Sequence, residues 1–214
     1  MSLPYAFGPV HTPNVFGWVR TIPKEGQMVK YYIMPYAFGL NDDGTVDTET
    51  KVRLDQALCA ANEKKGNIFL GAGMYKYAQK KGAISLSYSA YQYLIEKGVS
   101  KDKIKDYADG YNTMTETLAF WQYVSLHDQR DAIIEAATSW WHVPRVWAVC
   151  RIIFGRSIKV HAVRSTHSSL NIVYDMVREI AAFSRSVFIA AVIMRFIHQQ
   201  ENHGVRRIRR KEKV

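Results

Sequence analysis

The sequence predicts an α/β fold: a Rossmann-like three-layer sandwich with a mostly parallel sheet of about five strands and helices on both faces. Three observations carry that expectation. Short β-prone runs and helical patterns alternate along the chain with short connections, and parallel neighbours need helical crossovers. Runs such as Ala132-Ile133-Ile134 and Ile68-Phe69-Leu70 are apolar almost throughout, as strands buried on both faces are. Polar clusters at Gly39 to Asp43, Gly71 to Tyr75, Gly110 to Thr113 and Thr138 to His142 follow four of these runs, at the carboxyl ends where such sheets bind ligands.

Residues 1–28 are rich in Pro, Gly and aromatic residues without sustained periodicity, and read as an irregular N-terminal arm. Its Pro4-Tyr5-Ala6-Phe7-Gly8 recurs at Pro35-Tyr36-Ala37-Phe38-Gly39, but one echo without flanking similarity makes no structural repeat. Residues 29–200 form the α/β domain. Val29 to Met34 is the first strand, closed by Pro35 and the turn-rich Asn41-Asp42-Asp43-Gly44. Asp47 or Thr48 caps a helix that runs to about Lys65, with Val52, Leu54, Ala57, Leu58 and Ala61 on its apolar face. Asn67 to Leu70 is the second strand. A helix from Ser85 or Ser87 carries Ala90, Tyr91, Leu94 and Ile95 inward and stops at Gly98. Lys103 to Tyr107 alternates charged with apolar residues and suits an edge. Asn112-Thr113 opens the next helix, to about His127; a strand over 131–137, a helix over about 141–154 and a last strand over 157–162 follow. Ser169 to Gln200 is a long helical pattern. Leu170, Ile172, Val173, Met176, Val177 and Ile180 are expected to pack it on the sheet, while Ser186 to Ile197 is apolar nearly all round and wants a partner.

Composition bounds the function. With 214 residues, 48% hydrophobic and 22% charged, the chain is ordinary globular material. From Thr138 onward, 14 Lys or Arg stand against 4 Asp or Glu, which accounts for the whole net charge of +10. The densest part, Arg206 to Lys213, lies in a segment, 201–214, that reads as a basic, disordered tail able to meet nucleic acid or an anionic membrane. Cys59 and Cys150 both fall in helical apolar segments and read as buried free thiols. The first residues lack a basic region followed by an apolar core, and no uninterrupted apolar run approaches about 18 residues, so a cytoplasmic location is expected, with membrane association left open for the C-terminal helix.

Candidate site residues gather at the strand ends. Gly71 and Gly73 form a tight turn that lets a ligand approach the backbone, although Lys76 stands where a dinucleotide fingerprint needs a third glycine. Thr113 and Glu116 have capping-box spacing, which is compatible with ligand contact beside Asn112. Thr138 and Ser139 stand at a strand-to-helix junction, where either can cap the helix or meet a ligand. His142 is the candidate acid or base, and Arg145, one turn on, offers a forked guanidinium to phosphate or carboxylate. Trp121, Trp140, Trp141 and Trp147 read as core rather than as a base-stacking set. The remaining histidines show no metal-ligand spacing, and no metal site is indicated.

The order of Gly71-x-Gly73, then Tyr93 to Val99 with Lys101 to Ile104, then Asn112-Thr113-x-x-Glu116, then Thr138-Ser139-x-x-His142-x-x-Arg145 resembles the YdcF-like and SanA-like family. The resemblance covers about residues 29–182, including Arg53 and Arg178-Glu179. It implies a Rossmann-like domain with a polar pocket lined by these motifs, and family-level links to the bacterial cell envelope and to nucleotide-type ligands, S-adenosylmethionine among them. Two departures stand out: Ser87-Tyr88-Ser89, with Tyr88, replaces the family's usual acidic residue, and the N-terminal membrane spans of many members are missing from this sequence.

Two functional readings follow. One is a protein, enzymatic or not, that holds an anionic or nucleotide-type small molecule through Gly71, Gly73, Asn112, Thr113, Glu116, Thr138, Ser139, His142 and Arg145. The other is a scaffolding or binding module that uses the C-terminal helix and basic tail on membrane, protein or nucleic acid, a second copy of the chain included.

Overall fold

The computed structural model describes residues 30–37, 39–72, 85–127, 132–155, 158–166 and 169–211. The expected N-terminal arm, Gly73 and the last three residues lie outside them. In chain order the elements are β1 Tyr31–Pro35, α1 Thr48–Glu63, β2 Asn67–Ala72, α2 Leu86–Glu96, β3 Ile104–Gly110, α3 Thr113–Leu126, β4 Ile133–Ser139, α4 Val143–Phe154, β5 Lys159–Val163 and α5 Ser169–Lys211. Single 3-10 turns at Lys101–Lys103 and Trp140–His142 precede β3 and α4.

All five strands are parallel, in the order β3-β2-β1-β4-β5, with β3 at an edge. Chain order reverses between β1 and β4, so a crevice opens past their carboxyl ends. Alternate residues of β1 explain the two covered faces. Tyr31 and Ile33 face Leu54 and Ala57 of α1 and Leu94 of α2, whereas Tyr32 and Met34 face Phe120 of α3 and Val146 and Phe154 of α4. Local signals set the helix ends: Asp47 accepts from the Thr50 N–H at 2.7 Å, Ser85 accepts from Tyr88 N–H at 2.9 Å, and Gly98 and Gly155 turn the chain with positive φ.

α5 departs from expectation. It lies outside α4, with Ala190 and Met194 on Val149 and Ile153, and the side chains it buries nearer its start are Asp175 and Glu179. Val173, Val177 and Ile180, expected on the sheet, point outward; Ile180 is 72% exposed. The physical reason is that the helix start must meet a charged partner, Arg145, and the rotation that turns Glu179 inward turns the apolar residues out. Its backbone continues as helix through Lys211, into the segment read as a tail. Ile172–Ile197 is long and apolar enough to cross a membrane by length and composition, a length reached because isolated charges interrupt the apolar run without ending it.

Three smaller expectations are corrected. Cys59 is exposed, because it falls on the outer side of α1; only Cys150 is buried, where desolvation pushes its thiol up to about 12. Trp140 and Trp147 are exposed, leaving Trp141 as the buried member of that pair of neighbours. Thr138 and Ser139 cap nothing, since neither the 3-10 turn nor α4 has a side-chain cap.

Candidate functional site

A pocket of about 260 Å³ lies at the switch point, walled by the ends of the strands and by the starts of α3 and α4. Asn112, Thr113, Glu116, His142 and Arg145 line it, and so do Arg53, Trp141, Arg178 and Glu179. Thr138 and Ser139 stand behind this wall, wholly buried, and Gly71 sits beneath Glu116.

Packing at β2 and β3 brings the wall together. A Cβ on Gly71 would lie 3.3 Å from the Glu116 Cβ, and one on Gly110 would lie 2.4 Å from its Cγ and 2.3 Å from the Gly71 carbonyl oxygen. Glycine at both positions therefore lets the first turn of α3 seat directly on the strand ends. Ser87 seals the same end of β2 by donating to the Ala72 carbonyl, while Tyr88 is exposed.

The helix start is capped otherwise than the spacing suggested. Asn112 Oδ1 accepts from the N–H groups of Met114 and Thr115, and the Thr115 hydroxyl accepts from Asn112 N–H. Thr113 is thus the first helical residue rather than the cap, and Glu116 is released from capping. Its carboxyl enters the pocket wall, where burial pushes it up to about 8 even with Arg53 and Arg145 opposing the shift.

His142 is buried with both ring nitrogens engaged. The Arg145 Nη2, which can only donate, lies 2.9 Å from Nε2, and the Thr113 hydroxyl lies 3.0 Å from the same nitrogen. Nε2 is then the acceptor, and Nδ1 donates to Thr138 Oγ1 at 2.9 Å. Burial, followed by the charges of Arg145, Arg53 and Arg178, holds this imidazole well below its usual titration range, so it is neutral. Arg145 also meets Glu179 on two sides, Nη2 to Oε1 at 2.8 Å and Nε to Oε2 at 2.8 Å.

A second buried network supports the first. Arg53 donates through Nε to Ser139 at 2.9 Å and through Nη1 to the Tyr36 carbonyl at 2.7 Å, pairs with Glu49, and lies over the Trp141 ring at 5.5 Å. Ser139 donates to Glu49, whose other oxygen accepts from Ser165 and from both N–H and hydroxyl of Thr166. These donors outweigh desolvation and keep the Glu49 carboxyl below its usual range. Ser139 is thereby a strut between α1 and β4. Glu49 has no place in the sequence-based site, and Arg53, Arg178 and Glu179 enter the sequence analysis only through the family resemblance, outside the set of expected site residues. An Arg on the inward side of α1, four residues after Glu49, was the available signal for the first two.

Comparisons with known protein families, with curated proteins and with solved structures find no match for this chain.

Proposed function

We propose that the chain is a YdcF/SanA-like ligand-binding protein that holds an anionic or nucleotide-type small molecule in the switch-point pocket. The observation that carries this reading is the convergence of Arg53, Arg145 and Arg178 around one pocket with a neutral His142 between them. Cations held by buried carboxylates at fixed positions lose little freedom on meeting an oxyanion. The uncapped start of α4 adds the positive end of its dipole. Nucleotides, sugar phosphates and S-adenosylmethionine all carry an anionic group and form the test panel. In this reading His142 positions the ligand, and any proton transfer at the site falls to a different group.

A thermal-shift panel tests it. A ligand at about one hundred times its dissociation constant stabilises by roughly 2.7 kcal/mol, a rise in Tm of about 5–10 °C for a domain of this size. Arg145→Ala abolishes the shift, with circular dichroism of the variant checking that the fold is retained. A silent panel on the wild-type chain contradicts the reading.

The second reading, a module that docks through α5 on an anionic membrane surface, is favoured by one observation. Val173, Val177, Ile180, Phe188, Val192 and Phe196 are exposed along the helix, and the sequence from Arg206 on is basic. It predicts salt-sensitive sedimentation with anionic vesicles that Arg145→Ala leaves intact.

A further inference from the structure

Of the two glutamates in the pocket wall, Glu179 is paired with Arg145, and Glu116 has no such partner among the described residues. It is 7% exposed, and its Oε2 has no hydrogen-bond partner among the described residues. It is not a cap, because Asn112 and Thr115 close the helix start between themselves. Among the described residues it is not an ion-pair partner: Arg53 is held by Glu49, Ser139 and the Tyr36 carbonyl, Arg145 by Glu179 and His142, and Arg178 by Asp175. Leaving a buried polar atom unpaired costs about 1–3 kcal/mol. A wall that keeps such an atom, and gives up two side chains at Gly71 and Gly110 to seat its stem, is shaped for a partner that arrives from the pocket.

We propose that Glu116, as a protonated carboxylic acid, donates a hydrogen bond to an oxygen of the bound anion and so selects ligands carrying a phosphate- or sulfate-type oxyanion. This rests on the anion-binding reading of the pocket. The donor assignment follows from complementarity. Sulfate and a fully ionised phosphate offer only acceptors, the guanidinium groups nearby are donors, and a carboxylate in the same wall would repel the ligand whereas a neutral acid adds a further donor.

Among the described side chains, the titratable and charged groups that share this pocket with Glu116 are Arg53 from α1, Tyr36 after β1, Tyr111 before α3, His142 from the turn before α4, Arg145 from α4, and Arg178 and Glu179 from α5, and the backbones of Gly71 and Gly110 lie against its stem. Tyr36 is pushed up by burial and His142 down, so neither changes charge between neutral and mildly alkaline pH. Glu116, at about 8, does. Burial also raises Glu179, against the charge of Arg145, and Glu116→Gln separates the two; in this proposal the ionisation of Glu116 ends binding as pH rises.

Sulfate is the probe, because its charge is constant across this range. Calorimetric titration of the full chain with sulfate at low ionic strength is expected to show binding at neutral pH that weakens roughly tenfold for each pH unit above the titration of Glu116. Near pH 9, binding takes up close to one proton, read from titrations in buffers of different ionisation enthalpy, and about none near pH 6. Glu116→Gln, whose amide has no proton to lose in this range, flattens the profile. Sulfate that binds, is lost in Arg145→Gln, and yet shows a flat profile without proton uptake in the wild-type chain overturns the role of Glu116 while leaving the pocket reading intact. Sulfate that binds nowhere overturns both. The wild-type proton count decides the matter even where a variant fails to fold.

Discussion

Glu116 and Glu135 are the same residue type, buried to nearly the same degree at 7% and 4% exposed, and the fold treats them in opposite ways. Glu135, in the first half of β4, accepts from Tyr31 at 2.6 Å and from Lys64 at 2.9 Å, and it contacts His161 of β5. Burial alone would raise its carboxyl; hydrogen bonds from Lys64, Tyr31 and His161 outweigh that and hold it at about 2. Glu116, at the opposite end of the sheet, has burial without donors and sits at about 8. At Glu135 three donors reverse the sign that desolvation would set, and at Glu116 none does; in the proposed reading the unpartnered acid in the pocket wall is the group that meets a ligand oxygen.

The strongest way to break this contrast is to remove the partnered carboxylate. Glu135→Ala leaves the buried Tyr31 hydroxyl without its charged acceptor and is expected to destabilise the fold by about 3 kcal/mol in urea unfolding at neutral pH. The pH dependence has a definite sign. A folded-state value near 2, below the ordinary carboxylate range, gives stability that is fully present above that range and lost as pH falls through it toward 2. Glu116, raised to about 8, does the reverse: stability declines as pH rises from the ordinary carboxylate range to about 8, where only the unfolded chain has given up the proton.

Gly110→Ala sharpens the other half. Its new Cβ would stand 2.3 Å from the Gly71 carbonyl oxygen and 2.7 Å from the Glu116 Cα, so α3 must lift. A loss of about 3 kcal/mol is expected, again by urea unfolding, with sulfate binding lost in the fraction that remains folded. The Glu135 cluster, on the other face of the sheet, is expected to keep its acid-dependent stability.

Much of the frame was legible in the sequence, because it depends on near neighbours. Asp47, Ser85 and Gly98 announce helix ends, and the alternation of strand and helix announces a parallel sheet. His142 and Arg145 were legible as neighbours one turn apart. Partners brought together by topology were not. Glu49 meets Ser139 across 90 residues, and Tyr31 meets Glu135 across 104, and both pairings follow from β4 lying beside β1, an order that no local pattern encodes. The same holds for α5: its apolar residues suggested an inward face, but the long-range pair between Glu179 and Arg145 rotates them outward. Glu116 was legible as a site residue and misread as half of a capping box, because Asn112 one position earlier competes for the same backbone donors and wins.

The most direct test of this account is a carbon-detected NMR titration of the glutamate side-chain carboxyls in the wild-type chain, with Glu116→Gln and Glu135→Gln assigning the two resonances. The account predicts one glutamate that takes up its proton near pH 8 and is missing from Glu116→Gln, and another, missing from Glu135→Gln, that stays ionised to the acid limit of the folded state near pH 2. A Glu116 resonance that titrates together with the surface carboxylates would contradict it, because the pocket wall would then hold an ordinary anion and the neutral donor would not exist.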